Sequence, residues 1–263
     1  MAAARALLDR LEEQSDAIAK VARACADAIA AGGLVHLFGT GHSRIPVEEM
    51  FPRYGSYPGF NPIVELSMTF HTQVVGSNGQ RQAMFIERTP GLAETILSNF
   101  ELRPTDVLMV FSASGLSAVP IEMALGGRRR GVTVVAVTSV AQSLAREPTH
   151  EAGRLLDNAD VVLDLGTPPG DALVSIVGLD TPVAPGSTLA AVALVNEIKA
   201  QTAALLVQRG AMPPVLTSAA LVGPEVSAEL FDAAYAEHAR RYARSLRGAA
   251  DGSLEKGGQV PYA

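Results

Sequence analysis

Hydroxyl groups are concentrated in one short loop of the chain. The run SASGLS places Ser112, Ser114 and Ser117 around Gly115, directly after an apolar run and directly before a helical pattern. The first turn of a helix presents unpaired backbone N–H groups and about half a positive charge, and serine hydroxyls add further donors. This combination predicts a cradle for a phosphomonoester. The structural alternative is a serine that only caps the helix.

A second polar turn, GTGHS at residues 39–43, also lies between an apolar run and a helical pattern. Its Gly41, His42 and Ser43 are candidates for contact with the same phosphate. His42 can also transfer a proton to or from the ligand, or it can simply satisfy backbone groups of the turn. The turn lacks the GKS ending of a nucleotide P-loop and the third glycine of a dinucleotide fingerprint, which disfavours ATP and NAD.

Carboxylates and imidazoles near these turns are candidates for proton transfer. Glu65 and His71 lie in NPIVELSMTFH, within residues 51–80, a stretch without clear periodicity that we predict to be an active-site insertion. We expect Glu65 to act as a base and His71 as an acid, each within about 3 Å of the proton that it transfers. Glu87 in FIERTPG is the rival carboxylate, and a structural role at a helix start is its alternative.

Two further positions lie in a third polar segment, GSTLAAVALVNEI. Ser187 begins a helix there, and it either contributes a hydroxyl to the site or caps the helix. Glu197 can face a site shared between subunits, or it can pair with a neighbouring Arg or Lys. The five histidines and the lone Cys25 lack metal-ligand spacing, so we expect no bound metal. The chemistry considered below requires no cofactor.

The polar turns need a framework of buried strands. Near-continuous apolar runs alternate with helical patterns, which is typical of parallel strands in a doubly wound α/β sheet. The predicted strands are LVHLF (34–38), DVLMVF (106–111), VTVVAV (132–137), VVLDL (161–165) and LVSIV (173–177), and the predicted long helices cover 3–31, 187–209 and 225–247. Ligands of such sheets bind beyond the carboxyl ends of the strands, where both serine-containing turns fall.

Composition narrows the possible partners. The net charge of −6 provides no positive field to attract nucleic acid. We find no secretory signal and no apolar stretch of about 18 residues without polar interruption, which predicts a cytoplasmic protein without membrane association. Residues 1–247 are predicted to form a single domain, and the polar, glycine-rich residues 248–263 are predicted to be a flexible tail.

The three polar segments together resemble a known family. GTGHS, SASGLS and GSTLAAVALVNEI look like the three landmarks of the sugar isomerase (SIS) domain, and the resemblance covers roughly residues 3–245. It implies a flavodoxin-like sheet of five parallel strands that binds phosphosugars. It also implies a homodimer that pairs through the helix predicted at 3–31.

Within this family the run FGTGHSRIPVEEMFPRYGSYPGFNPI is similar to stand-alone SIS proteins, whose actinobacterial members resemble an N-acetylglucosamine-6-phosphate dehydratase. This implies a lyase that removes the proton next to the open-chain aldehyde and expels the 3-hydroxyl. An aldose-ketose isomerase uses the same first step and is the nearest alternative. A sugar-phosphate sensor without catalysis is the alternative from another class, because a fold does not fix a reaction.

Overall fold

The computed structural model describes residues 1–69 and 79–246. Its main sheet contains β1 (Val35–Gly39), β2 (Phe60–Ile63), β3 (Val107–Phe111), β4 (Thr133–Thr138) and β5 (Val161–Asp164). The described α-helices are α1 (Ala2–Glu12), α2 (Ser15–Ala30), α3 (Ile45–Met50), α4 (Gly79–Ile86), α5 (Leu92–Leu97), α6 (Ala118–Arg129), α7 (Val140–Leu144), α8 (Ser187–Gln208), α9 (Ala219–Val222) and α10 (Pro224–Ala243).

All five strands of the main sheet run parallel in the order β2-β1-β3-β4-β5. This is the doubly wound arrangement that the sequence predicts, so the predicted fold class is confirmed. The winding reverses between β1 and β3, which are neighbours in the sheet. A crevice therefore opens between the loops that follow these two strands, and such a crevice is where doubly wound folds bind ligands.

Each face of the sheet is covered by a separate hydrophobic core. Along β3, Met109 and Phe111 belong to the core that α2 and α8 complete, whereas Leu108 and Val110 belong to the core that α5 and α6 complete. Every residue of β3 is buried. Burial on both faces explains why this strand is a continuous apolar run rather than an alternating one.

Helix α8 is the central helix of the first core. It contacts α1, α2 and α3, and its buried residues include Leu194, Ile198 and Leu206. Among the described residues it is the one helix long and apolar enough to cross a membrane. Its position in the core accounts for this composition, because a helix buried on several sides is apolar around much of its circumference.

Two predictions about strands were wrong. The sequence did not predict β2, which has the sequence FNPI and lies inside the predicted insertion at 51–80. The proline is tolerated because β2 is an edge strand. The predicted strand at 173–177 is not part of the main sheet. Residues 172–174 form β6 (Ala172–Val174), which pairs antiparallel with β7 (Val183–Pro185) in a separate hairpin.

The predicted N-terminal helix over 3–31 is interrupted, and α1 and α2 replace it. The side chain of Gln14 turns away at the break to pair with the edge of the sheet. Its Nε2 donates to the carbonyl of Asp164 at 2.6 Å, and its Oε1 accepts the N–H of Asp164 at 2.9 Å. These two bonds satisfy backbone groups of the edge strand β5, a contact that helical periodicity cannot reveal. The predicted tail at 248–263 lies outside the described residues.

Candidate functional site

The loop after β1 is a tight turn built on glycine. A Cβ on Gly39 would collide with the backbone carbonyl of Ser43, and Gly41 has a φ of 55°. The turn directs Thr40 inward, where it is buried, and places His42 and Ser43 on the wall of a small pocket. The sequence therefore predicts the position of this loop correctly, and the glycines explain why the chain can turn so sharply.

The loop after β3 also depends on one glycine. Gly115 has a φ of 63°, and a Cβ there would lie 2.9 Å from Oγ1 of Thr138. The backbone N–H of Gly115 donates to Oγ of Ser112 at 3.2 Å. The Ser112 oxygen thus accepts inside the loop, while its proton can point outward. Ser112 lies on the same small pocket as His42 and Ser43, as predicted from the two motifs.

A larger cavity of about 600 Å³ adjoins the same loop. Ser114, Leu116, Ser117 and Ala118 form the wall that leads into the N-terminus of α6. The hydroxyl of Ser117, the residue before the helix, does not cap it. The backbone donors of the first turn are consequently not taken up by that side chain, which suits an anion. The volume lies within the range of about 300–1,000 Å³ that small-molecule sites occupy.

Glu87 joins the two loops through its carboxylate. Oγ1 of Thr40 donates to one oxygen at 2.6 Å, and Oγ of Ser117 donates to the other at 2.8 Å. The carbonyl of Glu87 also accepts the N–H of Val119 in the first turn of α6. Glu87 lines the large cavity. The residue that the sequence offered as the rival carboxylate is thus the one that the structure places between the loops.

The candidate serines differ in whether their hydroxyl already donates a hydrogen bond within the protein. A hydroxyl carries one proton, so Ser117 cannot donate to a phosphate while it donates to Glu87. Ser187 is similarly engaged, since its hydroxyl donates to Asp171 at 2.7 Å and its N–H donates to the same carboxylate at 2.8 Å. The Ser187 hydroxyl is therefore held by Asp171 and does not cap α8, although Ser187 lies on the small pocket. Ser112 and Ser114 keep the role of hydroxyl donors.

The other predicted catalytic residues lie elsewhere. Glu65 follows β2 at the carboxyl edge of the sheet, is partly exposed, and does not line either pocket among the described residues. His71 lies outside the described residues. Glu197 is exposed on α8, accepts a hydrogen bond from Gln201 at 2.8 Å, and borders a groove beside α1. The roles predicted for these three residues stay predictions.

Sequence reasoning missed six polar residues of the large cavity. The cavity is lined, together with Glu87, by Arg88, Gln142, Arg146, Glu147, Thr149 and His150. Nδ1 of His150 accepts the N–H of Ala152 at 3.2 Å, which places the ring proton on Nε2, 3.5 Å from Glu122. These residues belong to no compact motif. Only the position of Arg88 next to Glu87 could have drawn attention to one of them.

The carboxylate of Glu49 on α3 accepts hydrogen bonds that connect elements of the fold. Burial acts to raise the pKa of Glu49, but hydrogen bonds from Asn196 and Arg53 outweigh it and lower the pKa below its usual value. Asn196 lies on α8, so this contact ties α3 to the core helix. Within residues 1–69 and 79–246, no three His, Cys, Asp or Glu side chains group in a way that could hold a metal ion.

The fold and these loops define a doubly wound α/β protein with a candidate ligand site at the point where the winding reverses. Comparison with protein families gives a match to the SIS domain over residues 1–139. The chain is 32% identical over 238 residues to a UPF0309 protein of Geobacillus kaustophilus, covering 90% of this chain and 88% of the relative. It is 34% identical over 218 residues to a UPF0309 protein of Streptomyces avermitilis, covering 82% and 85%. The chain therefore belongs to the SIS domain proteins of the UPF0309 family.

Solved structures that align with this chain include a phosphoheptose isomerase and a domain of a transcription factor. A phosphoheptose isomerase of Neisseria gonorrhoeae aligns with a TM-score of 0.47 at 16% identity, covering 78% of this chain and 93% of the isomerase. The sugar isomerase domain of an RpiR transcription factor from Sphaerobacter thermophilus aligns with a TM-score of 0.43 at 18% identity, covering 79% and 93%.

Proposed function

We propose that this protein is a phosphosugar enzyme that uses Glu87 to remove the proton next to an open-chain aldehyde. The observation that carries the proposal is the position of Glu87 at the wall of the large cavity. Its two carboxylate oxygens accept hydrogen bonds from hydroxyls of the loops that follow β1 and β3. Two such bonds fix the orientation of the carboxylate, and a general base needs a fixed position to be effective.

The phosphate has a separate set of donors. Ser112 and Ser114 offer hydroxyls, and the start of α6 offers the positive end of its dipole and the backbone N–H of Ala118. The next two residues offer no donor, because Val119 donates its N–H to the carbonyl of Glu87 and Pro120 has none. Arg88 and Arg146 at the cavity wall add positive charge. In this proposal the anionic end of the substrate lies at the start of α6, and its carbon chain faces Glu87.

The full reaction that we propose is dehydration of N-acetylglucosamine 6-phosphate. Glu87 takes the proton on the carbon beside the aldehyde, the electron pair forms a carbon-carbon double bond, and the 3-hydroxyl departs as water after an acid protonates it. His71, as predicted from the sequence, is the acid in this scheme. The choice of dehydration and of this sugar derives from the resemblance of the FGTGHSRIPVEEMFPRYGSYPGFNPI run.

Isomerisation to a ketose is the second candidate, and one observation favours it. His150 is the described imidazole on the large cavity, and its two nitrogens already face Ala152 and Glu122. Isomerisation needs no acid for a departing hydroxyl, because one carboxylate can carry the proton between adjacent carbons. Both reactions share the step that we assign to Glu87.

Mass spectrometry of the product tests the proposal. Wild-type protein and N-acetylglucosamine 6-phosphate should give a product that has lost one water. Conversion of an aldose phosphate with a free 2-hydroxyl to a ketose of unchanged mass, without dehydration of N-acetylglucosamine 6-phosphate, would establish the second candidate. Glu87→Gln should slow turnover by roughly 100- to 10,000-fold, as expected for a lost general base, while calorimetry still detects binding. Glu65→Gln is the matched control. Full activity in Glu87→Gln and loss in Glu65→Gln would move the base to Glu65, and binding without turnover in wild type would make the protein a sensor.

A further inference from the structure

Gln142 borders the large cavity and carries a hydrogen-bond acceptor that the described part of the protein does not use. It lies on α7 and lines the cavity together with Glu87. Its side-chain oxygen Oε1 is buried, and no residue among 1–69 and 79–246 donates a hydrogen bond to it. A buried acceptor without a donor destabilises a protein unless a ligand or a water molecule supplies the proton. This oxygen therefore marks a place where a ligand donor fits.

The backbone that carries Gln142 is held in place by side chains of its neighbours. The Ser139 hydroxyl accepts the N–H of Gln142 at 3.2 Å and donates to the carbonyl of Thr167 at 2.6 Å. The N–H of Val140 donates to Oδ1 of Asp164 at 2.9 Å. These bonds tie α7 to β5 and to the loop that follows it. A side chain on an anchored element can position a bound group closely, which selective binding requires.

The same cavity also has an apolar part, to which Met84, Pro90 and Leu116 contribute. With a volume of about 600 Å³, the cavity has room for a substituent on the sugar as well as for the sugar itself. An acylamino group combines an N–H donor with an apolar end. It therefore matches both the unused oxygen of Gln142 and the apolar side chains of this cavity.

We infer that Gln142 recognises the substituent on the carbon next to the aldehyde, and that the ligands are sugar phosphates with an acylamino group at that carbon. Oε1 of Gln142 accepts the N–H of the acylamino group, and the acyl end contacts the apolar lining. The inference rests on the function proposed above, because removal of a proton by Glu87 brings this same carbon into the large cavity. The sugar named above came from a resemblance in sequence, and Gln142 supplies a physical reason for its acetamido group.

Calorimetry with two open-chain sugar alcohol phosphates tests this contact. N-acetylglucosaminitol 6-phosphate carries the acetamido group, whereas 2-deoxyglucitol 6-phosphate has only hydrogen at that carbon. Both lack the aldehyde, so the protein cannot turn them over. Wild type should bind the first ligand at least about 30-fold more tightly, because a site built for a ligand donor rejects an analogue that lacks it. Gln142→Met should weaken binding of the first ligand about 10-fold and change binding of the second by less than about 2-fold.

The matched control is Gln208→Met, which makes the same change at an exposed position at the end of α8. This variant should keep the wild-type ratio of the two dissociation constants. If Gln142→Met weakens both ligands equally, so that the ratio stays at its wild-type value, Gln142 has only a structural role and the inference is overturned. Wild type that binds both ligands equally would overturn it as well.

The outcome for Gln142 can be told apart from the outcome for the proposed function. Turnover of N-acetylglucosamine 6-phosphate by wild type, together with an unchanged ratio in Gln142→Met, would remove only the role of Gln142. The expected change in ratio without any turnover would support the Gln142 contact and make the protein a sensor. If wild type binds neither the two alcohol phosphates nor N-acetylglucosamine 6-phosphate, both the proposed function and this inference are wrong.

Discussion

Glu87 owes its position to two hydroxyls that are distant in sequence. Thr40 and Ser117 belong to different loops, 47 residues before and 30 residues after the carboxylate that they hold. Both the glycine turn and the serine loop are visible in the sequence as motifs. That one carboxylate bridges them is not, because nothing local to FIERTPG encodes the contact. The motifs therefore predicted the two loops that follow β1 and β3, whereas our preference for Glu87 over Glu65 rests on long-range geometry.

Kinetics should separate the hydroxyl that holds the base from the hydroxyl that holds the phosphate. Ser117→Ala removes one of the two donors to Glu87, so we expect kcat to fall about 10-fold with little change in KM. Ser112→Ala removes a donor assigned to the phosphate, so we expect KM to rise at least about 10-fold. Steady-state rates with the product assay measure both. Equal effects on kcat and KM in the two variants would show that the serines have no separate roles.

Several elements could not be predicted because their signals are not local. The FNPI run is short and contains a proline, so only its place at the sheet edge makes it a strand. The LVSIV run has the β-branched composition of a buried strand. Composition does not distinguish such a strand from the exposed hairpin of β6 and β7, to which these residues belong. By contrast, α6 and α8 were predicted within a few residues, because each carries a clear start signal and a long helical pattern.

The break between α1 and α2 gives a test of how an edge strand is protected. Gln14→Ala removes both bonds to the backbone of Asp164 and leaves that N–H and carbonyl without this partner. We expect a loss of about 1–2 kcal/mol in the free energy of unfolding, measured with urea. Glu13→Ala, at the exposed neighbouring position, is the control and should change it by less than about 0.5 kcal/mol. An equal loss in both variants would show that the contact with the strand makes no specific contribution, because alanine has a higher helix propensity than either residue that it replaces.

Asp106 connects the starts of β1 and β3 and should make stability depend on pH. Burial acts to raise its pKa, but contact with His36 and hydrogen bonds from the backbone N–H groups of Arg103 and Leu34 outweigh it and hold the pKa below the usual 3.8. A lowered pKa in the folded state contributes stability above pH 3.8, and this contribution is lost as the pH falls through the folded pKa.

The substitution Asp106→Asn should therefore cost about 1–3 kcal/mol at neutral pH. The difference from wild type should narrow as the pH is lowered below 3.8, the usual pKa of the carboxyl. Urea unfolding at pH 7 and at about pH 3 measures this difference. A constant difference at both pH values would assign the whole effect to packing rather than to the ionised carboxylate.

For the molecule as a whole, a negative net charge is compatible with an anionic ligand, because the proposed contacts with the ligand act over short distances. The chain has a net charge of −6, yet its proposed ligand is an anion. Helix dipoles, backbone N–H groups and hydroxyls act over a few ångströms, whereas net charge acts over longer distances and is screened by salt. The sequence motifs led us to expect a site of neutral donors instead of a cluster of lysines, and that expectation stays a prediction. The motifs could not show where Arg88 and Arg146 lie, since both reach the cavity through the fold.

The two ends of α8 have different neighbours, and this has a consequence for opening of the site. Its first turn lines the small pocket, while Leu194, Ile198 and Leu206 in its later turns are buried in the core. A helix anchored along most of its length cannot swing its first turn outward without breaking the rest of the protein. We therefore expect hydrogen exchange at the buried later turns of α8 to require global unfolding, and we expect a metabolite that binds at the first turn to protect the chain against denaturation.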